Sequence, residues 1–523
     1  MKSVFRKIPY AVVLLLLLLG ACKNAPEIKI TTSLPRSIPE AEGVSSEGIL
    51  AFLEAAAASR NEFHSFMFLR HGKVIAEGWW NPYRPELKHT LYSTSKSFTS
   101  TAVGFAVSEN RLTVNDKVIS FFPEDLPDTI SPYLADLTVK DLLMMSAGQD
   151  PDPTSRIVVN DSNWVKAFLS IPIVNDPGTV FLYNSMATYM LSAIVQKVTG
   201  EKVIDYLKPR LFEPLAIEGM DWEVDPVGIN TGGWGLRVKT EDMAKFGQLY
   251  LQNGMWNGKQ ILPVTWIEEA TSFKIDNAPG APQSVKDSSE WAQGYCYQFW
   301  RSRYNAFRAD GAFGQYIIVM PDQDAVIAIQ AETPDMQDEI NLVWQYLLPA
   351  IRDVNPTENS AMTGNLQQKL ATLALPIPSK SAGSPVIAAI SGKTFALKSN
   401  DSRMESLNFN FIEDICRITL KEGGKDYEMN FGAGKWIEGE TTRPGPSLLK
   451  WAKAHNVGLP PEKIAGSYSW KDDSTLELIL RYIESPHSER IICKFEKNRI
   501  SVEVQPSLAF GAVQKVIAGE MSK

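Results

Sequence analysis

Ser93-Thr94-Ser95-Lys96 sets a hydroxyl three positions ahead of an amine, and on a helix positions i and i+3 share a face. A serine attacks as a nucleophile once a neighbouring base takes its proton. Lysine can be that base when loss of solvent lowers its pKa from about 10.4. A serine in the first turn also brings its backbone N–H among the free donors of a helix start, where an oxyanion can be held. Ser447 to Lys450 repeats the spacing, and roughly two or three such matches are expected by chance in a chain this long. The second copy follows Pro444-Gly445-Pro446 inside a strand-patterned region with no matching partners nearby. It is read as incidental.

Other chemistries find little support. No G-x-S-x-G elbow, H-E-x-x-H pair or G-x-x-x-x-G-K-[ST] loop occurs, so an α/β-hydrolase, a zinc hydrolase and a P-loop enzyme are disfavoured. The five histidines, His64, His71, His89, His455 and His487, are expected in turns or on solvated faces. No metal and no cofactor is implied. With a net charge of −8, the chain lacks the basic balance that nucleic acid would call for.

The elements that must position Ser93 follow from periodicity. Residues 47–60 form an alanine-rich helical segment, and residues 63–79 alternate around Arg70-His71-Gly72-Lys73 as a β-hairpin does. Helical patterns dominate residues 89–258, with helix-start signals at Thr138 to Asp141 and at Thr240 to Asp242. Strand patterns return at 315–320 and 325–330, and an amphipathic helix over 339–352 closes the unit. A hairpin at each end with helices between predicts an α+β domain, one antiparallel sheet flanked by helices.

At 523 residues the chain is too long for one ordinary core. The catalytic unit is placed at 37–354. Residues 355–385, rich in Pro, Ser and Asn with room for one short helix, read as a linker. The shorter alternating segments of 386–523 predict an all-β barrel or sandwich, expected to fold separately. Cys416 and Cys493 both fall in this region and could pair, whereas Cys296 reads as a buried apolar side chain.

The N-terminus carries Lys2, Arg6 and Lys7 and then an apolar run over 11–19, too short to span a bilayer that needs about 20 residues. It reads as a secretory signal over 1–22. Its end, Leu19-Gly20-Ala21-Cys22, resembles a bacterial lipobox. That resemblance implies lipidation of Cys22, a tether over 23–36, and a membrane-anchored lipoprotein of the bacterial envelope.

Four ordered motifs point further. Ser93 to Lys96 is followed by Leu137-Thr138-Val139-Lys140-Asp141-Leu142-Leu143-Met144-Met145-Ser146-Ala147-Gly148, by Tyr183-Asn184-Ser185, and by Gly232-Gly233-Trp234-Gly235-Leu236 with Thr240-Glu241-Asp242-Met243-Ala244 and Phe246-Gly247. Over about residues 37–352 the chain resembles the serine β-lactamase and penicillin-binding superfamily, most closely its class C-like esterases and nylon-oligomer hydrolases. The resemblance implies an acyl-enzyme on Ser93, with Lys96 and Tyr183 moving the proton and Ser185 where asparagine is more usual. Ala309 to Gln315 matches the third motif, with the Ala312 N–H as second oxyanion donor, but without the motif's cation. Asp310 could then face the cleft, and Arg308 or Arg237 could replace the cation. The implied substrates are small esters or amides, some of them peptide-like. The other reading is a non-catalytic protein that keeps the fold to bind a ligand or peptidoglycan.

Overall fold

A computed structural model describes residues 33–352, 360–377, 383–510 and 515–522. The first unit is built on six antiparallel strands. In chain order its main elements are α1 (Ser46–Ala58), β1 (Glu62–Arg70), β2 (Lys73–Trp79), α2 (Ser95–Ser108), α3 (Ser185–Thr199), α4 (Thr240–Leu251), β3 (Trp300–Arg301), β4 (Phe307–Gly311), β5 (Gln315–Met320), β6 (Ala325–Glu332), α5 (Met336–Leu342) and α6 (Ser360–Ala371). The strand order is β2-β1-β6-β5-β4-β3. The N-terminal hairpin therefore pairs with the last strand in the middle of the sheet, Phe66 facing Ile329 and Met67 facing Ala328.

Both faces of this sheet are covered, which explains why its central strands are apolar throughout. Met67, Leu69, Ile317 and Val326 point into the cluster shared with α2, α3 and α4. Phe66, Phe68, Ile318 and Ile327 point the other way, towards α1 and α5. Helix α4 lies close on the sheet because Gly247 allows it: a Cβ there would come within 2.6 Å of Val326 Cγ1 and 2.8 Å of Ile317 Cγ2. Phe98 of α2 stacks on Phe246 of α4, ring centroids 4.0 Å apart. The nucleophile's helix is thus braced against the sheet through α4.

Of the residues expected as a linker, 360–377 are instead part of this unit. Helix α6 buries Leu366, Leu370 and Leu373 lie over Gly78 of β2, and Asn81 exchanges backbone hydrogen bonds with Leu373 and Leu375.

The C-terminal unit consists of β7 (Lys393–Leu397), β8 (Met404–Ile412), β9 (Ile415–Glu422), β10 (Lys425–Ala433), β11 (Ile437–Thr441), β12 (Glu462–Trp470), β13 (Thr475–Tyr482), β14 (Ser488–Glu496), β15 (Arg499–Pro506) and β16 (Ile517–Met521). Antiparallel pairing runs β10-β9-β8-β7-β16-β15-β14-β13-β12, and a short parallel pairing of β10 with β12 closes nine strands into a barrel. β11 adds to β12 outside the closure. The interior is filled by Phe395, Phe409, Phe431, Leu478 and Phe495, with the rings of Phe395, Phe409 and Phe495 in mutual contact. Cys416 and Cys493 lie in this core as free thiols, so the expected pairing is absent. Cys296 is buried as expected.

The barrel is not held at arm's length. Arg481 grips Glu62 with two hydrogen bonds of 2.5 and 2.9 Å. The Thr90 N–H donates to Glu484 O, Val224 N–H to Val457 O and Lys453 N–H to Val158 O. Ala465 and Ile483 share the apolar cluster of α1. The two units thus share an interface of ion-pair, hydrogen-bond and apolar contacts.

Candidate active site

Ser93 sits in a short 3-10 turn, Tyr92–Thr94, that runs directly into α2. Lys96 follows in the first turn of α2 and is almost wholly buried, at 1% exposure. Its Nζ lies 3.2 Å from Ser93 Oγ, 2.9 Å from Ser185 Oγ and 2.7 Å from Gly233 O. The i, i+3 contact expected from the sequence is therefore made. Among the described residues no carboxylate touches the amine. Burial lowers its pKa from the usual lysine range to about 7, opposed more weakly by the charges of Asp152 and Asp310.

Tyr183 approaches from the loop ahead of α3. Burial holds its phenol above the usual tyrosine range, opposed by the nearby Ser93 hydroxyl. The ring is fixed by stacking on Trp300 at 5.5 Å, and Lys96 Nζ lies 5.0 Å from its centroid. Asn184 caps α3 by accepting from the N–H groups of Met186 and Ala187. The cap sets the helix so that Ser185, its first residue, aims at the lysine. Gly233 belongs to the Gly232-Gly233-Trp234-Gly235-Leu236 motif, whose residue types alone assign it no role. A Cβ there would fall 2.8 Å from Ser185 O and 3.3 Å from Lys96 Nζ, so a glycine lets this carbonyl reach the amine.

The end of β4 lies against the nucleophile turn. A Cβ on Gly311 would come within 2.2 Å of Leu91 O, and the Thr94 hydroxyl donates to Gln315 O at 2.7 Å. Ala312 stands between Gly311 and Phe313, whose ring meets that of Tyr92 at 5.4 Å. Ala312 thus lies in a turn packed against Leu91, Tyr92 and Thr94.

Three expectations are corrected here. Asp310 does not face the cleft: it is buried and bonded to Arg308, Nε to Oδ2 at 2.9 Å. Strand residues i and i+2 share a face, so this pair was readable from the sequence. Arg308 is no free cation either. It is fully buried, lies 4.8 and 5.7 Å from the rings of Trp291 and Trp300, and donates to Ser302 and to the carbonyls of Glu290 and Arg301. Arg237 is taken by Asp221 through two 2.7 Å bonds and lies 3.4 Å from Glu484.

The histidines and Ser447 also depart from expectation. His64, His89 and His487 are buried, at 0%, 2% and 0% exposure. His64 meets His89 ring to ring at 3.2 Å and Glu62 at 3.1 Å. Burial holds both imidazoles below the usual histidine range. His487, from the barrel, lies 2.5 Å from the Tyr92 hydroxyl. Ser447 does have a neighbour in the site, since it stands near enough to the Tyr92 hydroxyl to oppose the upward push of burial on its pKa. Among the described residues no cluster of His, Cys, Asp or Glu could hold a metal, and no helix is long and apolar enough to cross a membrane.

Comparison with known proteins places this geometry. The family model described as "Beta-lactamase" matches residues 62–348. The 6-aminohexanoate-dimer hydrolase of Paenarthrobacter ureafaciens is 28% identical over 294 residues, 52% of this chain and 73% of that protein. A solved structure from Bacillus anthracis, provisionally named a 6-aminohexanoate-dimer hydrolase, superposes with a TM-score of 0.50 at 23% identity. It covers 61% of this chain and 87% of its own. That likeness bears on the fold alone.

Proposed function

Because the chain belongs to the β-lactamase family and is a serine hydrolase, we propose that it cleaves small esters or amides through an acyl-enzyme on Ser93. One observation carries the assignment. The Lys96 amine is buried, has no carboxylate partner among the described residues, and stands 3.2 Å from Ser93 Oγ with its pKa lowered to about 7. A neutral amine at that distance can take the serine proton as Oγ bonds to the substrate carbonyl carbon. The N–H groups of Ser93 and Ala312 receive the oxyanion. Tyr183, kept protonated by burial, gives its proton to the departing alcohol or amine and regains one from the Lys96 ammonium. Water then attacks the acyl carbon, giving its proton to Lys96, and Lys96 passes that proton to Ser93 Oγ as the acyl C–O bond breaks. Ser185 and Gly233 O hold the lysine through these steps.

The relative's name makes it a hydrolase of a dimer of 6-aminohexanoate, which puts a short amide among the candidate substrates. Membrane anchoring through Cys22 in the bacterial envelope belongs to the same reading. It rests on residues 19–22, which lie outside the described residues.

The test is covalent labelling with a fluorophosphonate followed by peptide mapping. The adduct is expected on Ser93 and is expected to vanish in Ser93→Ala. A wild-type protein that stays unlabelled by this probe and by activated esters overturns the assignment.

A further inference from the structure

His487 enters the site from the turn between β13 and β14, and its contacts form a pattern. One ring nitrogen, Nε2, lies 2.5 Å from the Tyr92 hydroxyl, and the other, Nδ1, lies 2.6 Å from Glu332 Oε1. Glu332 is the last residue of β6 and also accepts from the Ser507 hydroxyl at 2.7 Å. The Tyr92 phenol, held protonated by burial, donates to Nε2, which leaves Nδ1–H to donate to the carboxylate. The imidazole face is occupied too. The Phe313 ring packs edge-on to it with centroids 4.7 Å apart. No solvent reaches this histidine.

Two of the residues that His487 touches are special in the backbone. Tyr92 and Phe313 have φ values of +47° and +66°, a region that side-chain-bearing residues adopt only when their surroundings fix it. The Tyr92–Ser93 peptide carries the Ser93 N–H. Phe313 follows Ala312 directly in the turn that leaves β4, so it closes the segment that carries the Ala312 N–H. One imidazole thus bears on the two flanking residues that aim the two donors. Ser447 and Leu448, again from the C-terminal unit, stand close enough to the same phenol to oppose the effect of burial on its pKa.

We propose that His487, oriented by Glu332, is a positioning residue for the oxyanion-binding pair, and that the barrel is thereby a working part of the hydrolase. The proposal rests on the acyl-enzyme reading above. It assigns His487 no contact with substrate and no proton transfer. Preorganised donors matter most where negative charge develops, so loss of His487 acts on the transition state and little on ground-state binding.

The experiment compares the full-length wild type with His487→Ala, His487→Gln and Tyr92→Phe on an activated ester. Boronic acid inhibition and the fluorophosphonate labelling rate are measured alongside. In His487→Ala, kcat is expected to fall about ten- to hundredfold with KM within about threefold. Boronic acid affinity and labelling rate should fall in parallel. His487→Gln, which can accept from Tyr92 and donate to Glu332, should recover part of the loss. Tyr92→Phe keeps the ring and should share the defect, which covers the case of an alanine variant that does not fold. Folded variants with kcat and labelling rate within twofold of wild type overturn the proposal, as does a change confined to KM. Wild type that labels normally beside unimpaired variants refutes this inference alone. A wild type that never labels refutes the acyl-enzyme reading beneath it.

Discussion

Two Ser-x-x-Lys segments flank the same tyrosine and meet different fates. Ser93 and Lys96 lie at the start of a braced helix, and the amine is sealed among Ser93, Ser185 and Gly233 O. Ser447 and Lys450 lie in an irregular loop. There the serine accepts from the Leu449 N–H, and Lys450 stays exposed, 4.8 Å from the ring of Trp451, itself 70% exposed. Spacing is identical, so spacing is not what makes a base. A lysine becomes one when its surroundings remove water without supplying a carboxylate. Ser447 does come near the active site, but as a polar neighbour of Tyr92.

The strongest way to break this contrast is to remove the sealed amine. Lys96→Met and Tyr183→Phe should each lower kcat by about 10²–10⁴-fold. The double variant should lose far less than the product, since both groups act on one proton. Independent, multiplying effects would make one of the two merely structural. Lys96→Met should at the same time stabilise the fold. The folded-state pKa of Lys96 lies near 7 and below its unfolded value, so the burial cost is fully present below pH 7 and fades as pH rises towards the unfolded pKa. A gain on the order of a few kcal/mol is expected at pH 6, read as a raised Tm that shrinks in alkaline buffer.

The same titration sharpens the contrast kinetically. Because the base works when neutral, kcat/KM for a neutral ester should climb about tenfold per pH unit below 7 and flatten above it. A profile flat from pH 5 to 9 would show that Lys96 does not limit the reaction.

Substrate preference gives an effect of comparable or smaller size. With Arg308 between its indoles and Arg237 on Asp221, neither supplies the cation that would meet a β-lactam's carboxylate. An ion-assisted hydrogen bond contributes roughly 1.5–3 kcal/mol, or about one to two powers of ten in rate. The kcat/KM for nitrocefin should therefore fall below that for p-nitrophenyl butyrate. Equality would mean that another cation serves.

The smallest effect belongs to the other serine. Ser447→Ala removes one polar neighbour of Tyr92, and kcat should drop by about two- to fivefold while labelling of Ser93 persists. Loss of all labelling would exchange the roles of the two segments.

What the sequence disclosed follows the distance between partners. Ser93 with Lys96 is a local pair on one helix face, and the β1–β2 hairpin is a local alternation, so both were readable. Tyr183 and Ser185 were readable only through the order of motifs. Gly233 acts through its carbonyl, and every residue type has one; the need for close approach was the sole signal. His487 and Tyr92 lie 395 positions apart, beyond any periodic pattern, and histidines were assigned to solvated faces by their usual polarity. Helix α6 was readable in part: Thr363, Leu366, Leu370 and Leu373 fall at helical spacing, but flanking Pro and Ser residues suggested a linker.

The place of β1 carries a consequence for biosynthesis. Its partner along the whole length is β6, with Glu62 opposite Glu332. A ribosome delivers β1 long before β6 exists, so the central ladder of the sheet cannot close during most of translation. Folds dominated by such distant pairings form slowly, because loop closure precedes the contacts that reward it. Until then the apolar strand β1 is an unpaired edge, open to aggregation or to chaperones. Assembly is thus timed by the end of the catalytic segment, and an incomplete nascent chain would hold Ser93 and Lys96 without the sheet that braces them.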